Sequence, residues 1–167
     1  MAYIIRHATP RDAATINQLC VEAYEEFAPV VGQDNWQQLR EALASAYDLS
    51  ALGELIVAEG ASGVIGVVLY IPPGQSDGRS MPQAWATIRM LAVAPARRGE
   101  GIGRKLTEAC IERARLDGAE AIGLTTADMM KVAEPMYERM GFKKELDLGT
   151  RFGVQHARYK LALNEGD

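Results

Sequence analysis

The chain has 167 residues, 48% of them apolar and 24% charged, with 22 acidic against 18 basic side chains and a formal net charge of −4. This length fits a single domain, residues 1–167, able to bury roughly two-thirds of the surface its unfolded form exposes, and the composition is that of a globular rather than a disordered chain. The acidic balance excludes a general nucleic-acid binder, which needs a basic surface for phosphate contacts, so no nucleic-acid partner is expected.

The opening "MAYIIRHATPRD" lacks a basic leader followed by an apolar run, and no window approaches 18 consecutive apolar residues. A cytoplasmic location and no membrane partner are the expectations. Tyr3 to Ala8 alternates as a first strand and ends at "TPRD", where Thr9 can cap a helix, Pro10 suits its first position and Asp12 lies in the favourable field of its start. Ala13, Ile16, Cys20, Ala23 and Phe27 fall on one face of that helix, which should stop before Pro29. A second helix carries Trp36, Leu39, Leu43 and Ala46 or Tyr47, with Asp34 as its cap. Leu55 to Glu59 and Val64 to Ile71 read as a hairpin ended by Pro72 and Pro73. The polar segment "PPGQSDGRSMPQ" reads as an exposed loop, not a linker, because strands flank it on both sides.

From "AWATIRMLAV" the order is strand, glycine turn, helix (Gly103 to Asp117), strand ("EAIGLTT"), a short helix ending in "YERMGF", and a strand pair around "FKKELDL" and "ARYKLAL". Six or seven strands and about four helices, mixing hairpins with a strand-helix-strand unit, predict an α/β fold with a mixed sheet covered by helices. Cys20 and Cys110 fit helical apolar positions with no C-x-x-C spacing, so they read as buried hydrophobes and no metal is expected.

The turn "RRGEGIG" carries Gly99, Gly101 and Gly103 at every second position behind Arg97 and Arg98. Between a strand and a helix, such glycines let backbone N–H groups converge on an anion with no Cβ in the way, and the helix start adds partial positive charge. Arginine suits phosphate geometry, and Arg104 follows directly. A Walker loop is excluded because Lys105 is followed by Leu106 rather than Ser or Thr. The dinucleotide pattern G-x-G-x-x-G fails as well, since its third glycine falls on Arg104.

What matches is Arg98-x-x-Gly101-x-Gly103. The run "LAVAPARRGEGIGRKLTEACIERARLDGAEAIGL" resembles the acyl-coenzyme A motif of the GNAT superfamily of N-acetyltransferases, and "AEPMYERMGFKK" resembles the motif that follows it there. The resemblance implies acetyl-CoA as cosubstrate, lying in a gap where "TIRMLAV" and "AIGLTT" splay apart. Leu91, Ala92 and Val93 would offer main-chain groups to the pantetheine arm, which bonds like an added strand. Arg98, Gly99, Glu100, Gly101, Ile102, Gly103 and Arg104 would hold the pyrophosphate. A main-chain N–H near Ala92 would meet the thioester oxygen. Tyr137, at the position of the family's tyrosine, would protonate the leaving thiolate. Pro135 requires that helix to start late or kink, and Met130 stands where many relatives place an asparagine.

The acceptor is less defined. An ammonium titrating near 10.4 is neutral in only about one molecule in a thousand at pH 7, so some group must take its proton. The strand before the glycine turn offers Thr87 and Arg89 but no carboxylate. Glu25, Glu26 and Asp34 cluster around the junction of the first two helices, where they can bind a cationic amine or form a solvated acidic face. His7 and His156 read as structural or exposed. The leading expectation is acetyl transfer to a small-molecule primary amine. The alternatives are an amino-terminal acetyltransferase acting on protein or peptide and a noncatalytic acyl-CoA sensor. Oligomeric state, a homodimer included, stays open.

Overall fold

The structure is a computed structural model that describes residues 2–76, 78–127, 133–151 and 153–163. Its strands are β1 (Tyr3–His7), β2 (Glu54–Gly60), β3 (Gly63–Ile71), β4 (Ala86–Val93), β5 (Ala121–Ala127), β6 (Lys143–Arg151) and β7 (Val154–Ala162). They form one sheet in the order β1-β2-β3-β4-β5-β7-β6, antiparallel throughout except for the parallel pair β4 and β5. The helices are α1 (Ala13–Tyr24), α2 (Ala28–Val31), α3 (Gln33–Leu43), α4 (Ile102–Leu116) and α5 (Ala133–Arg139). The mixed α/β sheet expected from the pattern is present, and α2, a single turn, accounts for the helix beyond the expected four.

Alternation along the strands builds a core on each face of the sheet. Leu55, Val57, Val67, Leu69 and Ile71 point to one face and pack against Ile16, Leu19, Cys20 and Ala23 of α1. Ile56, Ala58, Val68, Tyr70 and Ile88 point to the other, against Ile102, Leu106, Cys110 and Ala114 of α4. Both cysteines are buried within these clusters, and burial pushes each thiol up to about 12. Gly66 lets α4 approach the sheet closely, because a Cβ there would stand 2.9 Å from Ile102 Cγ2. Among the described residues no helix is long and apolar enough to cross a membrane.

Helix boundaries depart from the sequence reading at both ends of the first two long helices. Pro10 opens a 3-10 turn (Pro10–Asp12) that precedes α1. The first helix ends at Tyr24, and Pro29 sits in the first turn of α2, where its missing N–H costs nothing. Gly32, not Asp34, precedes α3; Asp34 lies in the first turn, where its charge still favours the helix. Ala46 and Tyr47 fall beyond α3 in a further 3-10 turn. Pro135 lies in α5, whose described residues begin at Ala133.

A partly buried ion pair fastens β1 to the entrance of α1. Arg6 donates to both Asp12 oxygens at 2.9 and 3.0 Å and to Glu59 at 2.9 Å, while Thr9 N–H donates to Asp12 at 2.8 Å. The Arg6 guanidinium holds the Asp12 carboxyl well below the usual range, at about 2. A folded-state pKa below the unfolded value of 3.8 means that this stabilisation is complete above pH 4 and is lost as the pH falls toward 2. Urea unfolding of the wild type should therefore show stability declining over that interval. In Asp12→Asn the decline should shrink, with stability at pH 7 lower by about 1–3 kcal/mol.

Candidate active site

The site begins where the sheet comes apart. β4 and β5 pair only through Ala86 with Ile122, Thr87 with Gly123 and Ile88 with Leu124; beyond these residues both strands continue without pairing to each other. The cause lies in β4. Its register against β3 slips between Val67 and Leu69, so that Met90 and Leu91 together face Val68, and Met90 takes a left-handed φ of 59°. Such a bulge bends its strand and increases the local twist. A non-glycine residue in this region is strained, by about 1–2 kcal/mol.

The bulge also sets which main-chain groups face the gap. Ala94 N–H donates to Ile65 C=O at 2.8 Å, so ladder alternation pairs Ala92 with Val67 and turns its N–H and C=O toward β3. The corresponding groups of Leu91 and Val93 point the other way, into the gap. Of the three residues named from the sequence, Leu91 and Val93 are thus the ones able to bond an extended chain there. The Leu91 carbonyl already accepts a 2.9 Å hydrogen bond from Tyr24 Oη at the end of α1.

At the outer end of the gap stands the glycine turn. Gly99 and Gly101 have φ of 83° and 80°, and the space where their Cβ atoms would be is open. The first bond of α4 runs from Lys105 N–H to Gly101 C=O. The N–H groups of Gly101, Ile102, Gly103 and Arg104 make no hydrogen bond among the described residues, and they stand at the positive end of a helix of 15 residues. Gly103 differs from its neighbours, having no positive φ. Its Cβ would point at Leu91, Val93 and Met136 from 3.6 to 3.8 Å, so a larger side chain would project into the gap. Ile102 contributes its amide alone, its side chain being buried in the core.

The charges around the turn are paired. Arg97 donates to Glu100 at 3.0 Å, which lowers the Glu100 carboxyl below its ordinary range, and Arg104 donates to Glu108 at 3.2 Å. Arg98 reaches across to α1, donating to the Glu26 carboxylate and to Ala23 C=O, the latter at 2.7 Å. Glu26 is thus paired with Arg98 beside the glycine turn. Glu25 lies beside it in a 3-10 turn, and both it and Asp34 are exposed.

Tyr137 is 5% exposed, in edge contact with Phe142, and its hydroxyl makes no hydrogen bond among the described residues. Burial pushes its pKa well above the ordinary 10, and the neighbouring Tyr24 adds to the shift. Both phenols consequently stay protonated across the neutral range. Tyr24 was not among the sequence candidates, although the spacing Ile16, Cys20, Tyr24 would have placed it on the buried face.

Where the paired part of β4 and β5 ends, a cavity of about 700 Å³ opens on the sheet face that carries α1. It is lined by Thr87 and Arg89 of β4, Thr125 of β5, Arg151 of β6, His156 of β7 and the loop residues Arg79 and Met81, among others. The loop between β3 and β4, exposed along most of its described length as expected, also forms one wall of the cavity. It is held by Gly74 N–H to Gln83 C=O at 2.7 Å and by Ser76 Oγ to Met81 C=O at 3.0 Å, with Met81 buried. His156, read from the sequence as structural or exposed, lines this cavity, its Nδ1 lying 3.0 Å from Val154 C=O. Donation from Nδ1–H leaves Nε2 with a basic lone pair. Glu25, Glu26, Asp34 and His7 do not line the cavity. Met130 lies outside the described residues. Among the described residues no cluster of His, Cys, Asp and Glu could hold a metal ion.

Comparison with known proteins gives this geometry a family. The chain is 33% identical to rat (Rattus norvegicus) N-acetyltransferase family 8 member 2 over 97 residues, 58% of this chain and 41% of that protein. It spans about half the length of the curated relatives it matches. The fold superposes on PaiA N-acetyltransferase from Thermoplasma acidophilum, solved in complex with coenzyme A, with a TM-score of 0.74 and 18% identity over 96% of this chain and all of that one. It superposes on yncA from Salmonella typhimurium, solved with its cofactor acetyl-CoA, with a TM-score of 0.73 and 22% identity over 99% and 96% of the two chains. The family model described as "Acetyltransferase (GNAT) family" matches residues 15–142, which takes in the bulged strand, the glycine turn and Tyr137, and the chain belongs to that family.

Proposed function

We propose that this chain transfers an acetyl group from acetyl-CoA directly to the primary amine of a small molecule. The observation that carries this reading is the row of four unpartnered amides, Gly101 to Arg104, at one end of a gap whose other end opens into a cavity of about 700 Å³. Bound acetyl-CoA would supply a thioester whose carbonyl carbon takes the amine and whose sulfur departs as thiolate.

The residues divide the remaining work. The four amides hold the diphosphate at the positive end of α4. Leu91 and Val93 bond the pantetheine arm as an added strand. Tyr137 keeps its proton at neutral pH and donates a hydrogen bond to the sulfur as negative charge builds there. His156 is the lining side chain, among the described residues, with a ring-nitrogen lone pair that can accept the proton the amine sheds as the C–N bond forms. A small acceptor is favoured over a peptide by the tip of the β6–β7 hairpin. A Cβ at Gly153 would stand 2.9 Å from Asn35 Nδ2 and 3.5 Å from the Val31 carbonyl, so the hairpin rests on the α2–α3 junction beside the cavity. A cavity of that size suits a compact molecule.

Thiol release followed with a panel of amines and peptides tests the reading, and acetyl-CoA binding without transfer to any of them would support the sensor instead. Tyr137→Phe should lower kcat about 10- to 100-fold, the loss of one charge-assisted hydrogen bond in the transition state, with coenzyme A affinity unchanged in calorimetry. His156→Gln should lower kcat by about 100-fold or more while the acetyl-CoA KM stays constant. Gly101→Val should weaken coenzyme A binding at least about tenfold, because a β-branched residue resists the left-handed backbone that aims the amides.

A further inference from the structure

The charged side chains among the described residues lining the acceptor cavity are of one sign. Arg79 from the loop, Arg89 from β4 and Arg151 from β6 converge on it from three separate parts of the chain, and no described lining residue is Asp or Glu. This runs against the composition of a protein with 22 acidic and 18 basic side chains. Thr87 lines the same cavity. It is 6% exposed, and its Oγ1 is a buried hydroxyl with no hydrogen-bond partner among the described residues.

We infer that the acceptor is an amine that also bears an oxyanion, a carboxylate or a phosphate, held by the arginines while its amino group faces the gap. The inference rests on the reading of this cavity as the acceptor site. Each of the three arginines takes part in an interaction within the chain. A guanidinium carries five N–H donors in a planar fork that matches the two oxygens of an oxyanion. The Thr87 hydroxyl can add a further hydrogen bond. A purely cationic amine, by contrast, would find no carboxylate among the described lining residues.

The same field serves the chemistry. Positive charge around the amine favours its neutral, nucleophilic form. This accounts for a site whose described lining holds no carboxylate base. The proton released as the C–N bond forms passes to His156 or to water, and the thiolate leaves beside Tyr137.

The wild-type protein tests the inference without any substitution. The probes are leucine and phenylalanine, their phosphonate analogues and their uncharged carboxamides, compared by kcat/KM per molecule of free base. At least one oxyanion series should exceed the carboxamides by about tenfold or more, and the carboxylate and phosphonate arms tell which oxyanion is preferred. In Arg89→Gln and Arg151→Gln the preference should fall about tenfold, with coenzyme A affinity retained as the check on folding. Transfer to carboxamides or simple polyamines as fast as to the acids would overturn the inference and leave the transferase reading standing. Acetyl-CoA binding with no transfer to any amine would overturn both.

Discussion

Three residue pairs hold β4 to β5, and the absence of a fourth determines the rest of the site. Had the parallel ladder continued, Leu91 and Val93 would spend their main-chain groups on β5 and no ligand could lie between the strands. The bulge at Met90 prevents this by turning β4 while Leu91 is held from the other side by Tyr24. One local backbone distortion therefore accompanies both the gap and the unpaired strand edge.

Electrostatics then sorts the two ends of the gap. Around the glycine turn the arginines are balanced by carboxylates, and the positive character that remains is that of the unpartnered amides at the start of α4. At the inner end the described lining is basic without acidic residues. Arg98 joins the outer end to α1, and Tyr24, near the end of that helix, joins α1 to the gap. The helix is thus bonded to both strand and cradle.

How much was legible in the chain depended on how local the signal was. Strand alternation and the glycine spacing act over a few residues, and they placed the sheet, the cradle and Tyr137 in the correct elements. Tyr24 stands one residue beyond Ala23 on the expected stripe and was passed over, because half-buried tyrosines carry no distinctive spacing. His156 acquires meaning only through the pairing of β5 with β7, which sets it opposite Ala127. Arg79, Arg89 and Arg151 are separated by up to 72 positions of sequence, and nothing short of the folded sheet brings them to one cavity. The carboxylates drew attention because they cluster in sequence. Glu26 in fact balances Arg98, 72 residues away.

An unpaired strand edge is ordinarily a hazard, since its free amides and carbonyls can recruit a strand from another molecule. Here the vacant ladder lies in the middle of the sheet, between neighbours that diverge by only a few residues' length, with a phenol bonded to one of its carbonyls. A strand from another molecule would have to enter between two strands joined at their near ends, whereas an outer edge is open along its whole length. An edge of this kind inside the sheet therefore invites less pairing between molecules than the same edge would on the outer rim.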